Sequence, residues 1–201
     1  MSKLFTRLLK CTSGASAAEF ALTLPAFLVF LFGIIDAGRF AWEYNKAEKA
    51  TQVGARFAVV TDPVAPGLAA YDFTGGTLTG GDTIPASSFG VLRCTKALGC
   101  VCQTNPCPTG TGAVTGSWIK LVARMRQIDP AIQESNIQVE YRGSGVGFAG
   151  DPTGMDIVPL VTVQLTGMTF RPLVILALKP IGMPDFHTSL TAEDSIGNQS
   201  N

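Results

Sequence analysis

Two groups of residues in this 201-residue sequence have types and spacing suited to chemistry. The first is a set of four cysteines, Cys94, Cys100, Cys102 and Cys107, with a fifth, Cys11, far away near the amino terminus. A zinc site would call for cysteines with a two-residue spacer between them or a neighbouring histidine, and the set has neither. An even count in an exported segment reads instead as two disulfides. Of the three pairings, the one that joins Cys100 to Cys102 is sterically poor, and the two that avoid it both stay open. Each bridge closes a loop of about six to nine residues, worth roughly 2–3 kcal/mol by loop entropy. The second group is Gly14 and Glu19, set at the edge of residues 20–35, where no charge occurs.

Other constellations are weaker. His187 is the sole histidine, and Asp185 beside it with a distant serine would make a triad only by force. There is no Gly-x-Ser-x-Gly, no phosphate-cradling glycine loop and no metal-spaced histidine cluster, so an enzyme is disfavoured and no cofactor is called for. Asp151 and Asp156 lie among glycines, a pattern that suits a plain turn better than a calcium loop. Fifteen basic residues balance fifteen acidic ones, charged residues make up 15% of the chain, and no basic–aromatic stripe appears. These features exclude a nucleic-acid binder.

The elements that must position Gly14 and Glu19 are legible from charge. Residues 1–14 form a basic leader with Lys3, Arg7, Lys10 and no acid. The sixteen uncharged residues 20–35 cover roughly 24 Å as a helix, short of a ~30 Å hydrocarbon core. Starting the helix at Ala15 gives roughly 31 Å, which spans and brings Glu19 to the membrane edge. The basic flank predicts a single pass with a cytoplasmic amino end and everything after Ile35 exported. A secretory signal would be cut after the apolar run, but Ile34-Ile35-Asp36-Ala37-Gly38 makes a poor site. A lipoprotein is discarded because Lys10 precedes Cys11, which itself precedes the apolar run. The remaining simple reading is an uncleaved membrane anchor.

Beyond Ile35 the helix continues as an amphipathic half over 36–61. Phe40, Tyr44, Ala47, Thr51, Gly54 and Ala58 recur every three or four residues, with Ala50, Val53, Phe57 and Val60 alongside. Arg39, Glu43, Lys46, Glu48, Lys49, Gln52 and Arg56 occupy the opposite surface. Asp62-Pro63 ends the helix, which at ~69 Å is far longer than a globular average. The small residues of the first row permit close approach, chiefly to the protein's own exported part.

Residues 62–201 form that exported head. Turn formers dominate 62–116, with the cysteine loop at 94–107 and a short strand expected over 88–93. Ser117 is placed to cap a helix through Gln127, whose apolar face is Trp118, Leu121, Val122 and Met125. Ile137, Val139 and Tyr141 alternate, as do Val161, Val163 and Leu165, so two antiparallel strands are expected, with a last one over 186–191. The six apolar residues 173–178 are too few for a second span. The fold class is α+β: a long N-terminal helix, transmembrane then amphipathic, with a small head containing a short antiparallel sheet.

Small residues precede the apolar run: Ser13-Gly14-Ala15-Ser16-Ala17-Ala18, then Glu19-Phe20. With Ala21-Leu22, Leu24-Pro25, Gly33-Ile34-Ile35-Asp36-Ala37-Gly38-Arg39 and Gly54-Ala55-Arg56-Phe57-Ala58, this stretch resembles the TadE-like family, minor pseudopilins of the tight-adherence (Flp pilus) secretion system. The resemblance implies a pilin-like precursor cut by a prepilin peptidase between Gly14 and Ala15, on the cytoplasmic side, with the apolar segment retained. It also implies a processing and assembly motif at Glu19-Phe20, with Glu19 pairing with the new amino terminus of a neighbouring subunit. The implied partners are the peptidase, other pseudopilins, the major pilin, an inner-membrane assembly platform and membrane lipid, without nucleic acid. The protein would sit in the bacterial inner membrane, its head periplasmic or extracellular, and assist assembly or export of the adhesive filament. The chief rival is an unprocessed single-pass protein whose head binds a ligand or partner. Loss of Lys3, Arg7 and Lys10 with the leader would leave twelve basic against fifteen acidic residues, a side-chain charge of about −3.

Overall fold

The computed structural model describes residues 15–152, 154–173 and 179–192. Helix α1 runs over Ala15–Val60 with Pro25 inside it. The connector after it turns on Thr61, whose hydroxyl donates to the Phe57 carbonyl at 2.8 Å. The head contributes one further α-helix, α2 (Ser117–Arg126), and five strands of one antiparallel sheet. These are β1 (Val91–Thr95), β2 (Gly99–Thr104), β3 (Ile137–Arg142), β4 (Leu160–Leu165) and β7 (Phe186–Thr191), in the spatial order β2-β1-β3-β4-β7. A separate two-stranded ribbon pairs β5 (Thr169–Phe170) with β6 (Ile181–Gly182). The fold is α+β, as the sequence pattern implies.

The described residues fall into two compact units. One lies within Met1–Glu43 together with Phe170–Ile181, the other within Tyr44–Thr169 together with Gly182–Asn201. The first unit therefore includes a late segment that the sequence reading assigned to the head.

In the second unit the strand alternation sorts side chains between two faces. Leu92 pairs with Tyr141 and Cys94 with Val139, while Val139 faces Val163 and Leu165 faces Phe186. These residues are buried, and α1 from Tyr44 onward packs on them. The Tyr44 and Phe186 rings meet edge-on at 4.9 Å, and the Thr51 and Thr188 hydroxyls lie 3.2 Å apart. Gly54 is the close approach: a Cβ there would stand 2.9 Å from Met125 Sδ and 3.3 Å from Val163 Cγ1. The other face is polar, with Arg93–Glu140 at 3.3 Å and Thr162–Ser189 at 2.8 Å. Tyr141, wholly buried, accepts the Val64 backbone N–H at 3.0 Å and so pins the connector to the sheet. Burial pushes the Tyr141 hydroxyl well above its ordinary pKa, partly offset by hydrogen bonds with Val64 and Ala65.

Several expectations are corrected. The strand expected over 88–93 begins at Val91, because Ala86–Ser88 forms a 3-10 turn. Its partner β2 lies in the turn-rich stretch and was not foreseen. Ser117 does not cap α2: it is the first helical residue, and the Thr115 hydroxyl accepts its N–H at 3.3 Å instead. Val60 is exposed, whereas Val59 is buried. Lys46, assigned to the outward surface of α1, reaches inward and pairs with Asp129 at 2.8 Å. Asp129 is 3% exposed and also accepts the Ala131 N–H, so the cation neutralises a carboxylate that has left water.

Candidate functional site

The first half of α1 is apolar on every side. Phe20, Leu22, Phe27, Val29, Phe30 and Ile34 are all exposed, up to 79% at Leu22. A soluble helix buries one stripe, so large side chains bare all round need an apolar solvent. α1 has the length and composition to cross a membrane, which is consistent with a single-pass protein. Glu19 lies one residue before this run, inside the helix and exposed. Gly14 and Cys11 lie outside the described residues, while Ala15 is the first residue of α1. Pro25 lacks an N–H, and lipid-facing helices tolerate it because neighbouring groups re-satisfy the freed carbonyl.

At the carboxyl-terminal end of the run stands a carboxylate that the sequence reading gave no role. Asp36 is only 7% exposed and accepts the Leu173 N–H at 2.9 and 3.1 Å through its two oxygens. Arg39 Nη1, one helical turn on, donates to Asp36 at 3.2 Å and to the Arg171 carbonyl at 3.4 Å. Its guanidinium also stands 5.3 Å from the Phe170 ring centroid and 3.6 Å, through Nη2, from Glu43. Phe40 meets the same ring edge-on at 5.4 Å. A buried carboxylate with three charge-assisted bonds is satisfied, and it fixes the backbone of Phe170–Leu173 against α1. The visible signal was the Asp36–Arg39 spacing of three, which puts both on one helix face.

The cysteines form two bridges within the β1–β2 hairpin and its exit, Cys94–Cys100 and Cys102–Cys107. The first is buried and sits opposite in register across β1 and β2, whereas the second lies toward the surface. Gly99 makes the turn possible, with φ +69° and Gly112 O only 2.3 Å from where a Cβ would be.

The remaining sequence candidates do not converge. His187 is exposed on the polar face of β7 opposite Gln164, and Asp185 is exposed outside the strand. Asp156 serves the backbone: it accepts the N–H groups of Phe73, Gly150 and Asp151 at 2.8–2.9 Å. A depression of about 380 Å³ is lined by Asp62, Pro63, Thr115, Ser117 and Lys120, without histidine or cysteine.

One continuous helix thus carries a bare apolar half, an acidic residue at its start and a small-residue packing face at its end. Residues 14–56 match the TadE-like protein family. Over that stretch the chain is similar to TadE-like proteins. The match takes in the apolar run, the Asp36–Arg39 pair and the packing face as far as Arg56. It covers under a quarter of the 201 residues and none of the sheet. No curated protein matches the chain, and neither does any solved structure. The TadE-like match and the bare apolar helix together fit a membrane protein associated with a Tad pilus.

Proposed function

We propose that this protein is a TadE-like pseudopilin, a structural and non-enzymatic component that assists assembly or export of an Flp-type adhesive pilus. The observation that carries the reading is the coincidence of the family match at residues 14–56 with a long helix whose first half is exposed and apolar all round. A prepilin peptidase cuts after Gly14, where the absent side chain lets it approach the backbone closely. The cut leaves a charged α-amino group on Ala15. Glu19 then pairs with the amino terminus of a neighbouring subunit, because two opposite charges at the membrane edge favour one axial stagger over others. Other pseudopilins, the major pilin and an inner-membrane assembly platform are its partners. The protein waits in the inner membrane, held by α1 with the head outside.

Mass spectrometry of the amino terminus of the native protein tests the reading. A chain beginning at Ala15 supports it, whereas one still beginning near Met1 overturns it in favour of an unprocessed anchor with a partner-binding head. Normal processing of Gly14→Ala would remove the assigned cut site.

A further inference from the structure

We infer that the outer edge of β7 is a docking site for an extended segment of another polypeptide, which joins the five-stranded sheet as one more strand. The phase of the ladder decides which backbone groups are spare. One step beyond the Ile137–Leu165 pair, the Thr166 N–H donates to the Asn136 carbonyl at 2.8 Å. One step beyond the Leu160–Thr191 pair, the Ala192 N–H donates to the Pro159 carbonyl at 2.9 Å. Bonded pairs alternate along an antiparallel ladder, so β4 turns its even-numbered residues to β3 and its odd-numbered ones to β7. Within β7 the bonds to β4 therefore fall on Phe186, Thr188 and Leu190. The backbone N–H and C=O groups of His187, Ser189 and Thr191 point away from the sheet. All three residues are exposed, and no group among the described residues bonds that outward row.

Three observations say what covers it. Donors and acceptors repeating at every second residue are matched by another extended backbone. The row also lacks the devices that protect an edge: Phe186–Thr191 holds no lysine, acid or proline. The opposite outer strand is closed, since Cys100 of β2 exchanges backbone bonds with Gly112 at 2.6 and 2.9 Å. Finally, the dry face is unfinished at β7. Val161 and Val163 are wholly buried, whereas Leu190 and Thr188, paired with them, are half-buried. The arriving strand is therefore apolar at alternate positions, on the side next to Thr188 and Leu190. A second copy of this chain does not supply it. Its β2 edge is closed, and a twofold pairing of β7 with β7 turns whatever runs along the sheet end for end. α1 runs beside β7, with Tyr44 on Phe186 and Thr51 on Thr188, whereas copies held in one bilayer by α1 share a polarity. The inference needs no part played in a pilus.

The test uses the full chain in phosphatidylcholine nanodiscs and a fluorescent peptide of the β4 sequence, Leu160–Leu165, flanked by lysines. β4 already lies antiparallel to β7 with Val161 and Val163 on the dry face. The same strand laid outside β7 turns the backbones of Thr162 and Gln164 toward it. Fluorescence anisotropy should report binding that is lost when the peptide is N-methylated at Thr162 and Gln164, and kept when it is N-methylated at Val161 and Val163. Ser189→Pro removes an outward N–H and no bond to β4, so binding should weaken about tenfold or more while the thermal midpoint of the head holds. Equal binding of a scrambled peptide, equal loss with either methylation, or undiminished binding to Ser189→Pro each overturns the inference. The methylation arms need no variant of the protein. Disulfide-linked dimers of a Cys11→Ser, Ser189→Cys chain in lipid vesicles assign the edge to a second copy and overturn it too.

Discussion

The two halves of α1 solve opposite solvation problems with the same backbone. From Phe20 to Ile34 the exposed side chains are large and apolar on all sides, with no stripe to bury. From Ala47 to Ala58 the buried positions are mostly small: Ala47, Ala50, Thr51, Gly54, Ala55 and Ala58. Lipid tails are as apolar as leucine, so a span has nothing to gain by choosing a face. A helix in water must hide a narrow face, and small residues let its backbone approach the sheet closely enough for strand side chains to do the filling. Exposed phenylalanine in the first half is a solvent match, and buried glycine in the second is a distance requirement.

The sharpest way to break this contrast is to delete the same side chain in each half. Phe57→Ala, at a position 7% exposed, should cost the head about 3–5 kcal/mol, read as a lowered thermal midpoint in near-ultraviolet circular dichroism. Phe30→Ala, at 68% exposed, should leave that midpoint where it is. Next comes the inward cation. Lys46→Met strands Asp129 in a dry site, and we expect a loss of about 1.5–3 kcal/mol in denaturant unfolding, partly recovered by adding Asp129→Asn. Glycine gives a third pair. Gly54→Val should destabilise by about 1–3 kcal/mol through overpacking on Met125 and Val163. Gly38→Ala, where nothing lies within 4 Å of the new Cβ, should be neutral or slightly stabilising by the same measurement.

The smallest effect concerns acid. Hydrogen bonds from Thr74 hold Asp72 below the ordinary carboxylate value of 3.8, and Thr79 does the same for Asp82. Groups depressed in the folded state stabilise it above their unfolded pKa, and that contribution is lost as pH falls through the lower folded value. Thermal midpoints should therefore fall below about pH 4. The double variant Asp72→Asn, Asp82→Asn should flatten part of that slope, although both groups are exposed and the change is slight.

What the sequence revealed follows from how local the physics is. The helix bounds were set by charge and by Pro63, and β3 and β4 by strict alternation, which a sheet with one dry face enforces. Strand β2, and the end of β1 beyond Arg93, escaped because their dry-face positions include Cys94 and Cys100, read as chemistry instead of strand packing, within a stretch full of glycine and proline. Lys46 was misplaced because a helical wheel sends every lysine outward, and only tertiary structure supplies Asp129. The site at Asp36 was half legible: its spacing to Arg39 is local, but Leu173 is 137 residues away. Gly14 and Ala15, and the pairing of Glu19, rest on resemblance and on the proposed cut.

The Asp36–Leu173 link also sets an order in time. Residue 36 is synthesised while residue 173 does not yet exist, so the carboxylate must first be satisfied by water at the membrane surface. Both disulfides, with separations of 6 and 5, need no residue beyond Cys107. The residues of α1 and of the stapled hairpin are therefore all made before the last quarter of the chain brings the amide that takes Asp36 out of water. Completion of the unit around Asp36 reports that nearly the whole polypeptide has been synthesised.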